Sequence, residues 1–162
     1  DNVDIIMCES MSSIFEGSNA SRVAKEFSNR VWLSWTNRGH QPDQLPSTEA
    51  LSKAVDFSIE ADVECTLINC SHADMASNSI KELKRASKFG IFANSSTFKE
   101  VDLSIATKDV DAIHHLNSEK ISAKEYAMIA LSWVKEGAFV VGGCCGTTVE
   151  HTREIKLLMD SL

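Results

Sequence analysis

The sequence predicts an α/β protein built on a parallel sheet of about five strands. Two features carry that prediction. Short β-rich runs alternate with amphipathic segments whose apolar residues recur every three or four positions, the pattern of repeated βα units. Each β-run also ends in residues able to do chemistry, as expected where the loops that follow parallel strands converge on one side of a sheet.

The first run, Val3-Asp4-Ile5-Ile6-Met7, ends at Cys8-Glu9, and the second, Val31 to Trp35, ends at Thr36. Val63 to Ile68 leads into Asn69-Cys70, Gly90 to Ala93 leads into Asn94, and Phe139 to Val141 runs into Gly142-Gly143. Between them, Ile80, Leu83 and Ala86 share one helical face, as do Tyr126, Ile129, Ala130, Trp133 and Val134. Ser122 with Glu125 three residues later reads as a capping box, and Gly137 as the stop of that helix. Thr148 is the expected N-cap of a closing helix through Ile155 and Leu158. The exception is 95–122, polar and poorly periodic, with Ser95-Ser96-Thr97 at its start and His114-His115 inside it. Long loops after strands often build substrate sites, so this stretch is expected on the active face.

Composition narrows the function classes. A net charge of −7 with 43% hydrophobic and 24% charged residues is that of an ordinary globular domain, and gives no reason to expect nucleic acid or an anionic membrane as partner. No charged segment followed by an apolar stretch opens the chain, and no apolar run is long enough to cross a bilayer. The five cysteines are odd in number and lack the dense spacing of a secreted disulfide scaffold, so a reducing cytoplasm is the expected setting. Small molecules are the expected partners.

Cys70 stands at the end of the third strand, and Cys144-Cys145 at the end of the fifth. Three thiolates meeting at one rim would make an open zinc site, with the fourth tetrahedral position left for a substrate. By itself an adjacent cysteine pair is more often two unrelated thiols, one buried and one exposed. Glu9 alone reads equally as a solvated strand-end carboxylate. Cys8 and Cys65 are expected to be small buried hydrophobes, and His72, His114, His115 and His151 structural or surface residues. Trp32, Trp35 and Trp133 stand at core spacing, with Trp35 also within reach of the active face.

The run Val140-Val141-Gly142-Gly143-Cys144-Cys145-Gly146-Thr147-Thr148-Val149-Glu150-His151 resembles the closing motif of the homocysteine S-methyltransferase family. Ile68-Asn69-Cys70 resembles the family's other cysteine motif, and Val3 to Ser10, with Glu16 following, its strand ending in a Glu-Thr pair. The order matches too. The resemblance implies that 1–162 is a single partial homocysteine-binding barrel domain: the C-terminal portion, about five βα units, of a (β/α)8 TIM barrel whose N-terminal units are missing. It implies a cytoplasmic enzyme with Zn2+ on Cys70, Cys144 and Cys145, and Glu9 on the amino group of homocysteine. Asn69 and Asn94 would orient the ligands or the substrate carboxylate. The reaction implied moves a methyl group from a small sulfonium donor, S-methylmethionine or S-adenosylmethionine, to the thiolate of homocysteine, giving methionine.

Two substitutions depart from the family pattern without touching a ligand: Val149 stands where Pro is usual, and Ser10 where Thr is usual. Length is the larger departure. A complete barrel takes ~250 residues, and the family's aspartate-glycine motif on the first strand has no counterpart, so the start at Asp1 reads as that of a partial sequence. An open five-stranded piece would expose its edges, which favours self-association. The alternative is a non-catalytic zinc-binding or redox-sensing half-barrel that kept the cysteines but binds no substrate.

Overall fold

The computed structural model describes residues 3–98 and 118–161. Five parallel strands form one sheet: β1 (Ile6–Met11), β2 (Val31–Trp35), β3 (Cys65–His72), β4 (Phe89–Asn94) and β7 (Val140–Gly143), in the order β1-β2-β3-β4-β7. The expected strands are all present. The first lies further along than the sequence suggested, because its ladder continues past Cys8 through an irregularity and closes again at Met11, which pairs with Trp35.

Helices α1 (Ile14–Lys25), α2 (Leu51–Glu60), α3 (Ala73–Asn78) and α4 (Ile80–Leu83) lie between the first four strands. Helix α5 (Ala123–Lys135) precedes β7, and α6 (Val149–Met159) follows it. Their apolar stripes cover one face of the sheet. Val31, Leu33 and Trp35 from β2, and Ile91 and Ala93 from β4, share a core with Val55 of α2, Ala76 of α3 and Ala130 of α5, all buried. Removing such surfaces from water at ~25 cal/mol per Å² is what holds the helices to the sheet.

The helix ends follow the chemistry of the sequence. Ser122 and Glu125 form both bonds of the capping box, and Gly137 follows the last turn of α5 with φ +98°. Thr148 caps α6, with His151 in the reciprocal role: the Thr148 N–H donates to its Nδ1 at 3.1 Å. Glu16 reaches back to the backbone N–H of Ser12 at 2.8 Å while its own N–H bonds the Ser13 hydroxyl at 3.1 Å, which starts α1.

Cys8 and Cys65 are buried among apolar residues, and burial pushes the Cys65 thiol up to about 12. Trp35 does not reach the active face. Its indole N–H donates to Ser58 Oγ of α2 at 3.0 Å and its ring abuts Gly17 of α1, so it fills the layer between sheet and helices. The stretch 95–122 contains order that its composition hid: β5 (Ser96–Phe98) pairs antiparallel with β6 (Ser118–Lys120). Asp74 Oδ1 accepts the Phe98 N–H at 3.0 Å, and His72 shares a hydrogen bond with Ser96 at 2.8 Å, which ties this pair to α3 and the end of β3. His114 and His115 lie outside the described residues. Among the described residues no helix is long and apolar enough to cross a membrane.

Candidate metal centre

Because β4 lies between β3 and β7, Cys70 near the end of β3 and the loop that carries Cys144-Cys145 after β7 flank its C-terminal end. The three sulfurs all lie within 4.8 Å of one another, with Cys70 Sγ and Cys145 Sγ 3.6 Å apart. Tetrahedral zinc with bonds of ~2.3 Å requires its sulfurs ~3.8 Å apart. The donors therefore stand near metal-binding spacing, with Cys70 and Cys144 half-buried and Cys145 exposed.

Their electrostatics point the same way. The Cys144 thiol is drawn below its ordinary range, first by the hydrogen bond from Cys70, and Cys70 is pushed far above its own, first by that same bond and then by burial. One sulfur ionises readily and its neighbour then resists. Three thiolates can coexist here only around a positive centre, and a thiol-binding dication supplies one.

The end of β4 holds the cysteine loop in place. Ala93 O accepts the Cys144 N–H at 2.8 Å, Asn94 Oδ1 accepts the Cys145 N–H at 3.0 Å, and the Ser95 N–H donates to Cys145 O at 3.0 Å. Behind them, the Tyr126 hydroxyl lies 2.8 Å from Ala93 O and 2.7 Å from Gly142 O, joining α5 to both strand ends. Gly146 takes the left-handed conformation, φ +77°, and a Cβ there would stand 2.7 Å from Ser95 Oγ, so this turn requires glycine.

The other candidates occupy distinct positions. Asn94 is part of the cysteine clamp just described. Asn69, which the structure buries almost completely, has its oxygen and nitrogen engaged by Ser10 and Ser34: Oδ1 accepts from Ser10 N–H at 3.0 Å and Ser34 Oγ–H at 2.6 Å, and Nδ2 donates to Ser10 Oγ at 2.7 Å. Glu9 is exposed on β1 beside this network. Tyr126, Ser34 and Ser95 were not anticipated as site residues. Tyrosine at helical spacing reads as core, and a serine carries no local signal of its partner; only Ser10, keeping a hydroxyl where the family pattern has one, gave a hint.

A family model described as homocysteine S-methyltransferase matches residues 1–159. A relative, homocysteine S-methyltransferase YbgG of Bacillus subtilis (strain 168), is 25% identical over 162 residues, covering 98% of this chain and 48% of the relative. Among solved structures, the apo form of the homocysteine methyltransferase MmuM from Escherichia coli superposes with a TM-score of 0.68 at 19% identity, covering 96% of this chain and 50% of that one. Its metallated form gives 0.69 at 18% identity, covering 97% and 46%. At those identities the superpositions show the fold alone. The chain spans about half the length of these relatives. With a family match running almost end to end, the chain belongs to the homocysteine S-methyltransferase family.

Proposed function

We propose that this chain is the zinc- and homocysteine-binding portion of a (β/α)8-barrel methyltransferase that moves a methyl group from a small sulfonium donor, S-methylmethionine or S-adenosylmethionine, to homocysteine. The observation that carries the reading is the convergence of three sulfurs from two separate strand ends within 4.8 Å. Zinc held by Cys70, Cys144 and Cys145 would supply the charge that keeps a fourth sulfur ionised near neutral pH, where a free thiol of pKa ~8.5 is mostly protonated.

The chain's own residues do the rest. The Cys70, Cys144 and Cys145 sulfurs would hold the metal and would leave room for one further thiolate, that of the substrate. Asn94 and Ser95 hold the Cys145 peptide so that this arrangement is set before substrate arrives. In this reading Glu9 holds the substrate ammonium in a charge-assisted hydrogen bond, and the Asn94 amide NH2 faces its carboxylate. A lone pair on the homocysteine sulfur then attacks the methyl carbon. The carbon–sulfonium bond breaks with its electrons staying on the donor sulfur, which departs as a neutral thioether.

X-ray absorption on the zinc-loaded protein tests this. One zinc per chain should show three sulfur neighbours, rising to four when homocysteine is added. Four protein ligands before addition would overturn the open site. Cys70→Ala, Cys144→Ala and Cys145→Ala should each abolish zinc retention, and normal retention in any of them removes that residue from the ligand set.

A further inference from the structure

Two functional residues of this chain sit at the same kind of backbone irregularity. Cys8 pairs with Leu33 and Met11 with Trp35, so Glu9 and Ser10 together oppose the single residue Ser34. Asn69 pairs with Phe92 and His72 with Asn94, so Cys70 and Ser71 together oppose Ala93. Each is a β-bulge, a device that re-aims a side chain at the end of a ladder. Each also contains a non-glycine residue in the left-handed region, Ser10 at φ +59° and Cys70 at φ +52°. Such backbone persists only where its surroundings over-determine it.

One side chain joins the two bulges. β1 and β3 are not neighbours, because β2 runs between them. Asn69, the residue immediately before Cys70, reaches across to accept the Ser10 N–H and to donate to the Ser10 hydroxyl, while Ser34 of the intervening strand fixes its carboxamide by a third bond. The network is buried at Asn69 and Ser34, where water does not compete for these bonds. Strand alternation puts Glu9 on the face of Ser34 and Asn69, since Met7 pairs with Trp32 two residues earlier on each strand.

We propose that Asn69 is a positioning residue whose carboxamide locks the Glu9-Ser10 bulge to the Cys70 bulge, so that one group sets the distance between the carboxylate that holds the substrate amino group and the sulfur that holds the metal. The inference rests on the homocysteine reading above. It moves Asn69 from contact with substrate to support of Glu9.

A pair of thiols separates these roles. γ-Mercaptobutyrate is homocysteine without its amino group, so it keeps the thiol and carboxylate but gives Glu9 nothing to hold. In the zinc-loaded protein, Asn69→Ala should weaken homocysteine binding by tenfold or more, measured by calorimetry, and change γ-mercaptobutyrate binding by less than twofold. Asn69→Asp keeps both acceptor bonds, with the Ser10 hydroxyl turning to donate, and should bind both thiols within threefold of the parent. Ser10→Ala loses one bond without opening the core, and should show a smaller loss, about threefold, again for homocysteine alone. Equal weakening of the two thiols in Asn69→Ala, or loss of zinc, would overturn the positioning role, as would unchanged homocysteine affinity. A second readout needs no thiol: the Ser10 amide should exchange slowly with deuterium in the parent and quickly in Asn69→Ala. Failure of the parent to bind homocysteine would sink the proposed function, whereas an equally protected Ser10 amide in Asn69→Ala would sink the coupling alone.

Discussion

Tyr126 carries two strand ends on one phenol. Its single proton is shared between Ala93 O and Gly142 O, the residues before Asn94 and before the Gly143-Cys144 step, and burial pushes its ionisation well above the ordinary phenol range. Tyr126→Phe keeps the ring contacts with Trp133 and His151 and removes only the hydroxyl. The shared phenol donor is then lost, although Ala93 O keeps the Cys144 N–H, so the expected cost is about 1–2 kcal/mol in urea unfolding, with several-fold faster loss of zinc to a chelator; zinc loss at the parent rate would separate Tyr126 from the site. At the rim of the opposite end, Glu64 accepts from Arg30 Nε at 2.9 Å and Nη2 at 3.2 Å, and from Lys88 at 3.3 Å. Arg30 first, then Lys88, holds its carboxyl down at about 2 against an ordinary 4.5. A folded value below the unfolded one means the ionised form favours the fold. The stability difference between the parent and Glu64→Gln should therefore be full above pH 4.5, shrink as pH falls towards 2, and shrink also with salt because the Arg30 and Lys88 side chains are solvent-exposed. A difference that grew on acidification would reverse the assignment. At this scale the three cysteines were legible because a dense local motif surrounds two of them. Tyr126, Ser34 and Ser95 were not, because their partners lie far away in sequence.

Elements followed the sequence wherever the signal was local. The capping box at Ser122, the stop at Gly137 and the cap at Thr148 each depend on residues within three or four positions, and each is present. Ser122→Ala should cost about 1 kcal/mol in thermal or urea unfolding, as for other lost N-caps. The bulges were hidden for the opposite reason. An extra residue in β1 or β3 exists only relative to the partner strand, so alternation along one strand cannot reveal it. The β5–β6 pair escaped notice because three-residue strands, Ser-Thr-Phe and Ser-Glu-Lys, are too short to show apolar alternation, and depend instead on anchors such as Asp74. Gly17 is a further case in which spacing between elements decides a residue. A Cβ on this α1 residue would enter the Trp35 ring, whose indole is held from the other side by Ser58. Gly17→Ala should lose about 1–3 kcal/mol, despite the higher helix propensity of alanine, and alter near-ultraviolet dichroism from the displaced tryptophan. A gain in stability would mean that α1 can move away from β2 at no cost.

Over the described residues the molecule is an open sheet with three clustered cysteines at one end. Its curvature is visible where Trp32 of β2 and Phe139, just before β7, bring their ring centroids to 6.3 Å although two strands separate them. Neighbouring strands lie ~4.8 Å apart in a flat sheet, so the contact draws the lower end of the sheet inward. Closure does not follow among the described residues: β1 and β7 each have a partner on one side only. Unpaired N–H and C=O groups along such edges pair readily with another chain. Apolar surface is exposed around α1 as well: Phe15 and Val23 of the helix are 78% and 46% exposed, and Phe27, two residues past its end, is 77% exposed. None of these three side chains contributes to the core, and patches of this kind favour association. The 162-residue chain alone should therefore self-associate: its weight-average sedimentation coefficient should rise with concentration in the micromolar range. Phe15→Asp with Phe27→Asp should shift it towards monomer while leaving the circular dichroism and zinc stoichiometry unchanged, because neither residue is one of the three cysteines or a group that hydrogen-bonds their peptides. A concentration-independent monomer in the parent would show instead that the edges of this sheet are already protected by the chain itself.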